Sequence, residues 1–70
     1  MTMSEKAYKK IRVVGCSVQN MEKAIEIAVA KTTDGHHGNG WFEVVEMRGA
    51  ITDGKVTEWQ ATVDIAAKVD

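Results

Sequence analysis

WFEVVEMRGAIT, residues 41–52, and KVTEWQATVDIAAKV, residues 55–69, stand on either side of Asp53-Gly54. Asp-Gly between two β-prone runs is a favoured two-residue hairpin turn, because both residues tolerate the positive φ that the turn demands. In the second run Trp59, Ala61, Val63, Ile65, Ala67 and Val69 alternate with Glu58, Gln60, Thr62, Asp64 and Lys68. A period of two with one apolar and one polar face predicts a half-buried antiparallel strand. Its apolar face needs a cover.

Upstream the period changes. From Met21 the apolar residues fall at 21, 24, 25, 28 and 29, one face of a 3.6-residue helix, while Glu22, Lys23, Glu26 and Lys31 lie mostly off that stripe. Ser17 or Asn20 is the candidate N-cap. The helix is expected to end near Thr32, because Asp34-Gly35-His36-His37-Gly38-Asn39-Gly40 is rich in helix breakers. Before it, YKKIRVVG at residues 8–15 is a short β-prone run. The reading is a single α+β domain over residues 1–70, ordered β-α-β-β, with 1–7 a loosely ordered N-terminus. One amphipathic helix lies on a three-stranded antiparallel sheet. The two hairpin strands outreach a single helix, which leaves apolar sheet surface and strand edges without a cover.

Seventy residues is near the margin of independent stability. The single Cys16 excludes an intrachain disulfide, and no Cys/His grid offers a zinc site. Self-association is the remedy left. A net charge of −1 with mixed signs along the chain supplies no basic stripe, so nucleic acid is not an expected partner. Residues 1–10 lack the apolar core of a signal peptide, and no run approaches the ~20 apolar residues of a membrane span. With one free thiol, a cytoplasmic location and no membrane partner are expected. No Ser-His-acid set or pair of convergent carboxylates suggests catalysis, and Cys16 is expected to be a buried, inert thiol.

Gly40-Trp41-Phe42-Glu43-Val44-Val45-Glu46-Met47-Arg48-Gly49 resembles the WFEVVE-x-RG stretch of bacterial dodecins. Asp53-Gly54-Lys55-Val56 followed by Trp59-Gln60-Ala61-Thr62-Val63 is similar to that family's DGKV…(aromatic)-Q-x-T-(apolar) pattern. Val14-Gly15-Cys16-Ser17 with Met21-Glu22-Lys23-Ala24-Ile25 is similar to its VGTS…(apolar)-EEAI entry. The likeness runs in order from about Tyr8 to Val69. It implies a curved antiparallel sheet wrapped on the helix and a hollow homododecamer. It also implies a flavin cofactor (FMN or riboflavin, with FAD a further candidate) held at subunit interfaces for storage and sequestration. The residue implied to stack on the flavin is Trp41, and the one implied to hydrogen-bond its pyrimidine-like edge is Gln60.

The chemistry of both residues suits those roles. An indole is the largest flat side chain for a flat tricyclic ring, and a primary amide presents a donor and an acceptor together. On the residues alone, Trp41 reads more readily as a core anchor and Gln60 as a solvated side chain. Trp59 falls on the apolar face and reads as packing.

The chain also departs from the family pattern. Gly35, Gly38 and Gly40 are expected to loosen the approach to Trp41. Lys68 stands at the usual arginine place, keeping the charge that meets a flavin phosphate but not the planar fork. Arg48 is a second candidate cation, and Ala50 stands where many members carry His. Glu46 and Arg48 share a face of their strand and are expected to form a surface ion pair. His36 and His37 on one loop do not form a metal site by spacing, but copies meeting at a symmetry axis would bring them together, with Glu46 a further speculative ligand. A dodecin-like assembly with a weakened flavin site, serving a structural role or holding another ligand or a metal, is the alternative function.

Overall fold

The computed structural model describes residues 5–33 and 39–69. Its elements are β1 (Ala7–Ser17), α1 (Met21–Thr33), β2 (Gly40–Thr52) and β3 (Lys55–Val69). The strands form one antiparallel sheet in the order β1-β3-β2, so that β3 is paired along both edges. The expected β-α-β-β order and α+β class are what the chain adopts. β1 begins at Ala7, inside the stretch expected to be loosely ordered, and runs two residues past Gly15, because Cys16 and Ser17 still pair with Gln60 and Trp59. Residues 1–4 lie outside the described residues.

Asp53 and Gly54 take φ values of 53° and 76°, and Thr52 pairs with Lys55 across them. Two successive positive φ values belong to a type I′ turn, whose twist matches that of the flanking strands. Of the two candidate caps, Asn20 is the one used. Its side-chain oxygen accepts the Lys23 N–H at 2.7 Å, and its carbonyl accepts the Ala24 N–H at 3.2 Å. Such a cap contributes about 1 kcal/mol. Ser17 instead turns the chain ahead of the helix, its Oγ accepting the Gln19 N–H at 3.0 Å.

The core lies between α1 and the β1-β3 part of the sheet. Ala24 and Ala28 of the helix meet Ala61, Val63 and Ile65 of β3, with Val13, Ile25, Val29 and Trp59 packed around them. Trp59 is thus a packing residue, as its parity predicted. Small residues set the distance between the layers. A Cβ on Gly15 would run into the Ala24 carbonyl and the Ala28 side chain, so the helix can approach this closely only over a glycine.

A 13-residue helix is about 20 Å long, whereas a 15-residue strand reaches about 50 Å. α1 packs on β1 and β3, and β2 extends beyond it. Phe42, Val44 and Met47 lie on the helix side of β2, in register with Ile65, Val63 and Ala61, yet all three are exposed, Met47 by 62%. The chain measures 60 × 22 × 13 Å, an elongated hairpin of which the short helix covers only part.

Three sequence expectations need correction. Cys16 is exposed, because Gly15 and Ser17 take the helix-facing places and the thiol turns to the opposite face beside Gln60. The alternation of β3 breaks at Ala66, which is buried, while Ala67 is exposed. Ala66 is flanked in register by the large side chains of Trp41 and Lys10, whereas Ala67 has Lys9 on one side only, its other neighbour Gly40 having no side chain. Gly40 is also not a loosening residue. It is paired in β2, and a Cβ there would strike the Ala66 carbonyl. Gly35 and Gly38 lie outside the described residues.

Candidate functional site

The face of the sheet away from α1 carries the chain's polar chemistry. On β3 this is the face of Gln60, Thr62 and Asp64. On β2 the register shifts between Val44 and Glu46, which makes Val45 the extra residue of a β-bulge. Strict alternation would set Trp41 and Glu43 on the face opposite to Glu46 and Arg48. The bulge brings them together: Trp41 pairs with Ala66, Glu43 with Asp64, Glu46 with Thr62 and Arg48 with Gln60, all on one face.

Trp41 is 45% exposed. Its indole N–H donates to Glu43 Oε2 at 2.8 Å, and its ring lies 4.8 Å from that of Tyr8 at an interplanar angle of 59°. Tilted aromatic pairs at this spacing are favourable because a ring edge is electropositive and a ring face electronegative. The indole is therefore held at two points and still open to solvent.

Behind Glu43 runs a line of alternating charges across the three strands. Lys10 Nζ stands 3.2 Å from Glu43 Oε2 and 3.9 Å from Asp64 Oδ2. Arg12 meets Asp64 with a fork, Nε to Oδ1 at 2.7 Å and Nη2 to Oδ2 at 3.0 Å. The Trp41 N–H, and after it Lys10, hold the Glu43 carboxyl below its ordinary pKa. The hydrogen bond from Arg12 does the same for Asp64, and Asp64 in turn raises Arg12. With Lys10, Arg12 and Glu43 exposed, these pairs orient side chains more than they stabilise the fold.

Gln60 sits at the other end of this face. It is half-buried, flanked in register by Cys16 and Arg48, and its amide Nε2 donates to Glu58 Oε1 at 2.7 Å. Ala66, the partner of Trp41, lies six positions along β3 from Gln60, which is roughly 20 Å along a strand. Within one chain the proposed stacking residue and the proposed amide do not meet. The two candidate cations divide in the same way: Arg48 is beside Gln60, and Lys68, in register with Tyr8, is at the Trp41 end.

Glu46 pairs with Thr62, and no ion pair among the described residues joins it to Arg48, contrary to expectation. Both residues follow the bulge and stay on one face, Glu46 beside Thr62 and Arg48 beside Gln60. His36 and His37 lie outside the described residues. Among the described residues no cluster of three His, Cys, Asp or Glu side chains is placed to hold a metal, and no helix is long and apolar enough to cross a membrane. A shallow groove of about 480 Å³ runs along the edge of β2 by Trp41, lined by Val29, Gly40, Phe42, Ile65 and Ala67. Tyr8, Lys10 and Glu43 were not singled out from sequence. The Trp-x-Glu spacing was the available signal, since residues i and i+2 of a strand share a face.

Residues 7–70 match the family model described as Dodecin. A curated dodecin of Thermus thermophilus is 35% identical over 65 residues, which cover 93% of this chain and 94% of that protein. The structure of dodecin from Streptomyces coelicolor aligns with a TM-score of 0.86 at 32% identity, covering 97% of both chains. Dodecin from Streptomyces davaonensis aligns with a TM-score of 0.85 at 33% identity, covering 96% of this chain and 98% of that one.

Proposed function

The chain belongs to the dodecin family, and we propose that it binds and sequesters a flavin, riboflavin, FMN or FAD, in a homododecameric shell, without catalysis of its own. The observation that carries this reading is the half-exposed Trp41 ring, pinned by Glu43 and Tyr8 on an open sheet face. Its packing within its own chain is limited to Tyr8 and the flank of Ala66, which leaves nearly half of the residue open. Held flat and accessible, it suits a planar tricyclic ligand, for which stacking contributes about 0.5–1.5 kcal/mol beyond area burial.

The separation of Trp41 from Gln60 supports a site shared between copies. A ligand touching both kinds of residue takes the indole from one chain and the amide from another. The amide can turn from Glu58 to the alternating donors and acceptors of a flavin edge, because Glu58 is only half-buried and water can replace it. Lys68, close to the Trp41 end, suits the phosphate of FMN. The uncovered apolar side chains of β2 support assembly on independent grounds, since Phe42, Val44 and Met47 are costly to leave in water. Stacking between subunits also denies a second substrate access to the ring, which favours storage over turnover.

Electron transfer from a stacked indole should quench flavin emission. Titrating apo-protein into riboflavin is therefore expected to extinguish the flavin's fluorescence with saturation, and Trp41→Ala is expected to raise the Kd about tenfold or more. Full riboflavin emission at stoichiometric protein contradicts the proposal. An intact particle with no flavin titration points to a structural role for the assembly.

A further inference from the structure

Sequence comparison draws attention to Trp41, but the structure shows what fixes the attitude of its ring. We propose that Glu43 is a positioning residue for flavin capture, its carboxylate gripping the indole N–H and holding the ring plane ready for stacking. This rests on the flavin reading given above.

Glu43 is two residues along β2 from Trp41 and on the same face, so its side chain runs beside the indole. The N–H of the indole is its one polar group and can only donate. Glu43 Oε2 takes it at 2.8 Å, and a charged acceptor makes this a stronger bond than a neutral one would. The carboxylate is in turn held from β1, where Lys10 reaches both of its oxygens, at 3.2 and 3.3 Å. Asp64, the register partner of Glu43 on β3, keeps Lys10 from swinging away and is itself forked by Arg12. The line Arg12–Asp64–Lys10–Glu43 thus ends on the indole. Tyr8 bears on the ring from β1. An exposed Trp without these contacts would sample several rotamers, and a ligand would have to select one of them. Holding one rotamer in advance removes that entropic cost from binding.

The test uses the assembled protein on a Trp59→Phe background, so that Trp41 is the sole indole. Riboflavin affinity and the time-resolved fluorescence anisotropy of the ligand-free protein are measured for Glu43→Ala and Glu43→Gln. Removing the acceptor is expected to raise the riboflavin Kd about fivefold, the worth of one hydrogen bond, and to speed the local motion of the indole. Glu43→Gln keeps an acceptor oxygen and is expected to recover most of both. Lys10→Met leaves the carboxylate but frees it, with about a twofold loss expected, and serves where Glu43→Ala alters the particle's mass. Native affinity in Glu43→Ala, or weakened affinity with unchanged indole motion, overturns the proposal. If the parent protein itself does not bind riboflavin, the flavin reading falls and the proposal with it, whereas indole motion still reports on the tether.

Discussion

The indole N–H of Trp41 donates to the carboxylate of Glu43 at 2.8 Å, across one intervening residue of the same strand. Side chains at such spacing stand side by side on a pleated strand, so the bond needs no long-range fold to bring its partners together. The rest of the sheet is needed to hold Glu43. Lys10 comes from β1 and Asp64 from β3, and the β1-β3-β2 order sets all three strands side by side at this one level. What reads locally as one exposed aromatic is a ring whose orientation is set by residues from the whole width of the sheet.

That line of charges gives stability a pH dependence with a defined sign. Asp64 and Glu43 both have folded-state pKa values below their ordinary ones, chiefly through the hydrogen bonds from Arg12 and from Trp41. A depressed pKa means that the unfolded chain binds protons more readily. The stabilisation is therefore complete above the ordinary carboxylate range and is lost as pH falls through the folded value. Melting temperatures by circular dichroism are expected to be level near neutrality and to fall in acid, with a shallower fall for Asp64→Asn. Parallel acid profiles for the two proteins contradict this account.

Gly15 is expected to tolerate a single added methyl group poorly. Its Cβ would meet the Ala24 carbonyl and Ala28, both on a helix clamped by the core. Overpacking of this kind costs about 1–3 kcal/mol. Gly15→Ala should lower stability by that much in chemical denaturation, while the same change at Gly54, with nothing near it, should act only through its φ of 76° and cost about 1 kcal/mol. A Gly15→Ala protein as stable as the parent would show that the helix can stand further off.

The open helix-side surface of β2 bears on assembly. Met47 is 62% exposed in the single chain, though its register partner Ala61 is fully buried. A charge at Met47 costs little in an isolated chain but several kcal/mol if a second copy covers it. Met47→Glu should therefore break up the particle in sedimentation velocity while leaving the far-UV spectrum of a folded β-α-β-β chain. An unchanged sedimentation coefficient means that this surface is not an interface.

Much of the fold could be read directly from the chain. The Asp53-Gly54 turn, the period-two run of β3 and the 3.6-residue stripe of α1 are local patterns, and each is where it was expected. The faces of β2 could not be read the same way. Val44-Val45 is a pair of apolar residues of which either could be the extra residue of a bulge, so parity alone separates Trp41 from Arg48 when they share a face. Cys16 was misplaced for a related reason. Its burial depends on which residues of β1 meet the helix, and that is decided by the bare Gly15, over which the helix packs. The distance between Trp41 and Gln60 becomes visible only once the register is fixed. It is the structure's main addition to the site, because it separates two residues that a list of motif positions places together.

Native mass spectrometry of the purified protein, with and without added riboflavin, tests the central claim most directly. The account predicts a particle of twelve copies that gains whole riboflavin masses, and single chains that gain none. A protein found only as seventy-residue monomers, or a particle whose mass riboflavin leaves unchanged, contradicts it.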